Sequence, residues 1–176
     1  MKTYSKILAL TVIASFFLFS CSKKTNDNEM LTTQDRTFIS QASMGNTAEV
    51  KAAQLADSIS TSAAVHAFAQ QMITDHTTAQ NDLKTLGNNV NVTVTDSVDA
   101  LHQRMMDTLR TLSGPAFDSV YLIRQIADHQ TVISQFQQEA NSGNRTEVVD
   151  YANKYLPKLQ MHLQVADSIA KAMNYE

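Results

Sequence analysis

The chain has 176 residues, of which 43% are hydrophobic and 18% charged, proportions that exclude an intrinsically disordered protein. Only four glycines and two prolines occur, which disfavours a turn-rich β fold. The formal net charge is −3 and becomes more negative without Lys2 and Lys6. A mildly acidic chain without a cluster of Lys and Arg offers no basic surface to nucleic acid, so we expect no nucleic-acid partner.

The N-terminal segment combines two lysines with a short apolar run. Lys2 and Lys6 precede a mainly apolar stretch over residues 7–19, which is too short for a bilayer core of about 20 residues but typical of a signal peptide. The stretch ends in Leu-Phe-Ser-Cys, with Cys21 last, and this ending resembles a lipobox. Residues 1–20 are therefore predicted to be a lipoprotein signal peptide.

Cys21 is the single cysteine of the chain, which excludes an intramolecular disulfide. We expect it to receive a diacylglycerol and become the mature N-terminus; the alternative is an incidental cysteine in a leader cut elsewhere. Several acyl chains hold a protein to a membrane far better than one. Residues 21–32 are then the lipidated cysteine and a polar, flexible tether. Ser22 after the cysteine resembles outer-membrane-directed lipoproteins, so we expect a lipid-anchored protein of the cell envelope at the outer membrane, facing the periplasm.

Residues 33–174 are predicted to form one all-α domain, a ferritin-like four-helix bundle with a long crossover that contains a short extra helix. Start and stop signals place the long helices from Thr32 or Thr33 to Ser60, from Thr61 or Ser62 to Gly87, from Ser113 to Gly143, and from Asn144 to Asn174. Between the second and third, residues 88–95 are expected to be extended and 96–112 helical. Asn144 with Glu147 resembles a capping box, and Pro157 is expected to kink the last helix.

Each long helix carries an apolar stripe at spacings of three and four residues, and each stripe is interrupted once. The interrupting residues can all bind a proton or a metal: Glu49, His76, His129 and His162. Counted from the predicted helix ends at about 1.5 Å per residue, the four positions fall at similar depths. We therefore expect them to share one layer of the bundle.

Two interpretations of this layer remain open. One is a metal site in which one carboxylate and up to three imidazoles bind zinc, copper, iron or manganese. The other is a buried hydrogen-bonded layer that fixes the register of the helices. Asp75 and Asp128 directly precede two of the histidines, and adjacent helical residues point about 100° apart, so both are predicted to be solvated rim charges.

Catalytic constellations are not found in the sequence. No Glu is followed three residues later by His, as a ferritin-type di-iron centre would require. A Gly-x-Ser-x-Gly nucleophile elbow and a phosphate-binding Gly-rich loop are also missing from the sequence. We therefore expect no enzyme.

The order of short motifs resembles a known bacterial family. F-I-S-Q-A-S-x-G-N-x-A-E-V, A-x-x-M-I-T-D-H, L-S-G-P-A-F-D-S-V-Y, D-H and Y-L-P-K-L-Q-M-H-L follow one another along the chain. They are similar to the envelope family catalogued as domain of unknown function 4142, classed as ferritin-like. The resemblance covers about residues 33–172 and implies the bundle fold without an activity. Its matching polar positions include Asp75, Asp118 and Tyr121. We expect the Asp118 carboxylate to complement the helix dipole. We expect the Tyr121 ring to pack against other residues and leave its polar tip free.

Two functions follow from the sequence. The first is a membrane-anchored envelope lipoprotein whose non-enzymatic bundle is an interaction or stress-associated module, with an unknown protein partner. The second is a metal-binding or metal-storing lipoprotein that holds a divalent transition metal in the Glu/His layer.

Overall fold

The structure is a computed structural model that describes residues 30–175. The predicted signal peptide, Cys21 and most of the tether lie outside the described residues. The described part folds into five α-helices and confirms the all-α class: α1 (Thr33–Ile59), α2 (Ala63–Asn89), α3 (Ala100–Leu109), α4 (Gly114–Ser142) and α5 (Thr146–Ala172). No helix within residues 30–175 is long and apolar enough to cross a membrane.

The four long helices form a ring in the order α1, α2, α5, α4. Helix α1 packs on α2 and α4, and α5 packs on α4 and α2. Gln34 at the start of α1 donates a hydrogen bond to Glu139 near the end of α4 at 3.0 Å, so these two helices are antiparallel. Helices α2 and α4 therefore start at the same end, and the predicted crossover along the bundle is confirmed.

The crossover begins later than the sequence indicated. Helix α2 continues past the predicted end at Gly87 to Asn89, and the left-handed residue is Asn91, with φ 56°. Gly87 has another role, because a Cβ there would lie 2.6 Å from both the carbonyl oxygen of Val92 and a methyl of Val94. The chain thus turns back closely over Gly87, where only glycine leaves enough space.

A buried carboxylate links the starts of α1 and α5. Asp35 and Thr32 form a capping box, in which the Thr32 amide donates to Asp35 Oδ2 at 2.6 Å. The other oxygen, Oδ1, accepts from the amides of Asn144 at 3.0 Å and Arg145 at 3.2 Å. The predicted Asn144–Glu147 capping box is wrong: Arg145 is the N-cap of α5 and makes no side-chain cap bond. Asp35 of α1, the helix diagonally across the ring, supplies the acceptor for the amides at the start of α5.

Two further helix boundaries refine the prediction. Helix α3 is shorter than residues 96–112, because Asp99 caps it by accepting from the amides of Leu101 and His102, both at 2.9 Å. Helix α5 is continuous through Pro157, and the kink stays a prediction.

The apolar core is divided into two clusters. The first, which we call the upper cluster, contains residues near the ends of α1 and α5 and the starts of α2 and α4, among them Phe68, Met72, Phe117 and Leu122. The lower cluster includes Phe38, Leu83, Phe136 and Leu159. The positions that interrupt the stripes lie between these clusters along each helix, so a polar layer is placed in the middle of the bundle.

Candidate metal centre

Three histidines from three different helices meet in this layer. His76 (α2), His129 (α4) and His162 (α5) are only 4%, 2% and 1% exposed. Their ring centroids form a nearly equilateral triangle with sides of 5.8, 5.3 and 5.5 Å. Each ring offers one nitrogen, and the three nitrogens lie within 4.8 Å of one another. The predicted shared layer is therefore confirmed for the three histidines, which we call the triad.

A chain of hydrogen bonds fixes the protonation of His76. Its Nδ1 lies 3.1 Å from Oδ1 of Asn46. The Asn46 amide nitrogen donates to the Tyr151 hydroxyl at 3.0 Å, and that hydroxyl donates to the carbonyl of Ala79 at 3.2 Å. The Asn46 oxygen must therefore face the ring, so Nδ1 of His76 carries the proton and Nε2 carries the lone pair.

The other two rings are fixed in the same way. Nδ1 of His129 donates to the backbone carbonyl of Gln125 at 2.9 Å, and a carbonyl only accepts. Nε2 of His162 donates to Oδ2 of Asp75 at 2.9 Å, while Lys158 donates to the other Asp75 oxygen at 2.8 Å. Each ring is thus held by an outer hydrogen bond that leaves its second nitrogen unprotonated, as in metal-ligating histidines.

The remaining nitrogens are buried and unsatisfied. Nε2 of His76, Nε2 of His129 and Nδ1 of His162 have no hydrogen-bond partner among the described residues. Three buried acceptors that converge without a donor from the protein are costly, because burial separates them from bulk water. A cation at their centre would satisfy all three at once.

The electrostatics of the triad favour neutral rings. Burial lowers the pKa of His129 to about 4. Burial, together with the neighbouring histidines, holds the pKa of His76 well below its ordinary value, and burial also lowers that of His162 despite the opposing bond to Asp75. The rings are therefore neutral at neutral pH, the form that binds a metal.

Glu49 lies beside the triad and is not a member of it. Its Oε2 accepts from the Gln125 side chain at 2.7 Å, and its Oε1 is 3.9 Å from Nδ1 of His129. That nitrogen is the protonated one, so Glu49 contacts the outer side of the ring. Burial raises the pKa of Glu49 to about 7, although the bond from Gln125 opposes the shift. The four residues of the predicted layer therefore divide into three facing histidines and one adjacent carboxyl group.

Asp75 has a different role from the one its position suggested. The expectation of a solvated rim charge is wrong, because its carboxylate is largely buried and bonded to His162 and Lys158. The sequence pattern did not identify Asn46 and Gln125 as site residues, although both are buried, at 5% and 1% exposed. A signal for Gln125 was available, since a polar residue four positions before His129 lies one helical turn away on the same face.

Asp118 and Tyr121 lie elsewhere in the bundle. They precede His129 by 11 and 8 residues on α4, which is about 16 and 12 Å along the helix. Both are buried, and neither Asp118 Oδ1 nor the Tyr121 hydroxyl has a hydrogen-bond partner among the described residues. The Tyr121 ring stacks on Phe117 with a centroid distance of 6.0 Å. The expectation that Tyr121 packs with a free polar tip is therefore wrong, because its hydroxyl is enclosed in the upper cluster.

Comparison with known proteins identifies the family. The model of a family described as Domain of unknown function (DUF4142) matches residues 20–169. The fold is similar to the crystal structure of a DUF305 fragment from Deinococcus radiodurans, with a TM-score of 0.71 and 15% identity, covering 81% of this chain and 98% of that one. At that identity the likeness shows the fold alone. No curated protein matches the sequence. The chain belongs to the DUF4142 family.

Proposed function

We propose that the domain binds one divalent transition-metal ion through His76, His129 and His162. The observation that carries the proposal is the convergence of three buried, unprotonated and unpartnered ring nitrogens. Imidazole ligands suit zinc, copper, iron and nickel, whereas magnesium, calcium and manganese prefer oxygen. We therefore expect Zn²⁺ or Cu²⁺ to bind in preference to Mg²⁺ or Ca²⁺.

The geometry requires a modest contraction of the triad. Bonds of about 2.0–2.1 Å to a tetrahedral zinc ion place ligand nitrogens about 3.3 Å apart. The triad nitrogens lie within 4.8 Å of one another, so each pair must approach by about 1.5 Å at most. Small side-chain rotations achieve this, and the outer hydrogen bonds keep the rings in the required orientation.

A single ion fits the composition of the site better than bulk storage. Within residues 30–175, the triad is the one group of three or more ligating side chains that lie close together. Apolar clusters border it on both sides along the bundle. We therefore expect one ion per chain, which suits a carrier, buffer or sensor of metal rather than a mineral store.

The lipid anchor belongs to the same proposal. The lipobox supports acylation of Cys21, and residues 22–32 then connect the membrane to the start of α1. The metal site would be presented in the cell envelope. Mass spectrometry of membrane-extracted protein should find an acylated N-terminal Cys21, and Cys21→Ala should move the protein into the soluble fraction. An unmodified mature start at another residue would contradict the anchor and leave the metal proposal intact.

The metal proposal is tested by titrating the purified, metal-free protein with Zn²⁺ and Cu²⁺. We expect one ion per chain. His129→Ala should lose at least about 100-fold in metal affinity, because the substitution removes a residue that binds the metal directly. His66→Ala is the matched control, since His66 lies on α2 outside the triad and pairs with Asp57 in a half-exposed position. It should bind as the parent does. Unchanged binding in His129→Ala, or no binding in the parent, overturns the proposal and leaves the interaction module as the better interpretation.

A further inference from the structure

A cavity adjoins the triad on the side of α1. It is lined by Glu49, His76 and His129 together with Ala42, Gly45, Asn46 and apolar residues of α4 and α5. The ligating group draws one histidine from each of α2, α4 and α5 and none from α1. The fourth side of the site is thus formed by α1, which borders the cavity and provides no ligating histidine.

Gly45 keeps this space open. A Cβ built on Gly45 meets no atom within 4 Å, so the helix leaves a gap at the point where α1 passes the triad. Glycine is unfavourable inside a helix, and here no close contact or left-handed backbone requires it. The gap is the feature that a larger residue would remove.

The cavity continues toward the surface between α1 and α4. Gln41 and Gln135 line both this cavity and an outer groove that also includes Gln34 and Gln138. Gln41 is exposed and Gln135 is half-buried. The space beside Gly45 is therefore separated from the polar surface groove between α1 and α4 by these two glutamines.

We propose that the three-histidine centre keeps one exchangeable coordination position, directed into this cavity, for a small uncharged molecule, of which water is the smallest. The inference rests on the proposed metal binding. Three protein ligands with an open fourth position form a recurrent arrangement in zinc sites. Glu49 lines the cavity but lies beside the outer, Nδ1 side of His129, so it acts on a bound molecule through its charge across the cavity: an ionised carboxylate there repels an anion. Glu49 is therefore the residue that selects an uncharged molecule over an anion.

The exchangeable position is tested first with water itself, through the proton relaxation of the Cu²⁺-loaded protein. We expect the parent to enhance water relaxation, Gly45→Leu to lose the enhancement because its side chain fills the cavity, and Gly45→Ala to resemble the parent. An equally weak effect in the parent and in Gly45→Leu overturns the inference alone. A parent that binds no Cu²⁺ overturns the proposed function as well, so the two failures are distinguishable.

Azide is the second probe and does not depend on the folding of Gly45→Leu. At pH 8 the visible spectrum of the Cu²⁺-loaded protein is titrated with azide in the parent and in Glu49→Gln. Removing the negative charge that Glu49 places on the cavity wall should strengthen azide binding by about tenfold or more. Equal azide affinity in both proteins shows that Glu49 does not face the position and overturns its selecting role.

Discussion

Oδ2 of Asp75 accepts a hydrogen bond from Nε2 of His162 across the α2–α5 interface at 2.9 Å. Lys158 donates to the other carboxylate oxygen at 2.8 Å, and these bonds outweigh burial to hold the pKa of Asp75 below its ordinary value. The ionised carboxylate fixes the His162 proton on Nε2, so Nδ1 is left to face the other two rings. Asp75 is therefore a positioning residue for the triad.

Asp75→Ala should weaken zinc binding by about 10–100-fold, the range found when an outer hydrogen bond to a ligating histidine is removed. Asp82→Ala is the control, because Asp82 is also on α2 and pairs with Lys154 and Tyr155 of α5. It should leave zinc affinity unchanged. Competition with a chromophoric chelator measures both variants, and equal losses would show that Asp75 acts only through the helix interface.

Two glycine-to-alanine changes should alter stability in opposite directions. Gly87→Ala places a Cβ 2.6 Å from the carbonyl oxygen of Val92 and from Val94, and such overpacking costs about 1–3 kcal/mol. Gly45→Ala has open space around the new methyl group and should gain about 0.5–1 kcal/mol from the better helix former. Urea unfolding measures both free energies. A stabilised Gly87→Ala would contradict the close approach at Gly87, and a destabilised Gly45→Ala would contradict the open space at Gly45.

A third prediction concerns the end of the bundle where α4 meets α1. Glu139 is 1% exposed, and its carboxyl group lies next to Gln34 and the carboxylate of Asp35. Burial, with a further contribution from Asp35, raises the pKa of Glu139 from 4.5 to about 7. The folded protein therefore binds more protons than the unfolded chain between these two values. The resulting stabilisation is complete below pH 4.5 and is lost as the pH rises through about 7.

Glu139→Gln removes this pH dependence. The free energy of unfolding of Glu139→Gln, taken relative to that of the parent, should be on the order of 1–3 kcal/mol higher at pH 8 than at pH 5. Urea unfolding at the two pH values gives the difference. Glu147→Gln, at a half-exposed carboxylate, serves as the control and should show a much smaller change. Parallel curves for the parent and Glu139→Gln would contradict the raised pKa.

The triad was predictable because helical periodicity determines which residues face the bundle axis. His76, His129 and His162 each occupy a stripe position, and the crossover aligns α2 with α4, so equal depths in sequence became equal heights in space. Glu49 also occupies a stripe position, but α1 approaches the layer at Gly45 and places the carboxyl group beside His129. Periodicity fixes the face of a residue, while its distance from the axis depends on how closely the helices pack.

The outer hydrogen bonds depend on which helices are neighbours. Asp75 lies about 100° around α2 from His76, and that direction is buried only because α5 is beside α2 in the ring. The predicted Asn144–Glu147 capping box does not form, because Asp35 of α1 reaches the start of α5 and accepts a hydrogen bond from the Asn144 amide. The apolar stripes can be predicted from the periodicity of one sequence. The order and handedness of four helices around an axis depend on packing between segments that are distant in the chain.

The central claim is that the three histidines ligate one ion, and X-ray absorption spectroscopy of the protein loaded with one equivalent of Zn²⁺ tests it most directly. The account predicts about three nitrogen ligands at about 2.0–2.1 Å, with the outer-shell scattering that identifies imidazole rings. His129→Ala should lose one imidazole from this pattern, and His66→Ala should retain all three. A first shell made only of oxygen, or an imidazole count that does not change in His129→Ala, would contradict the account.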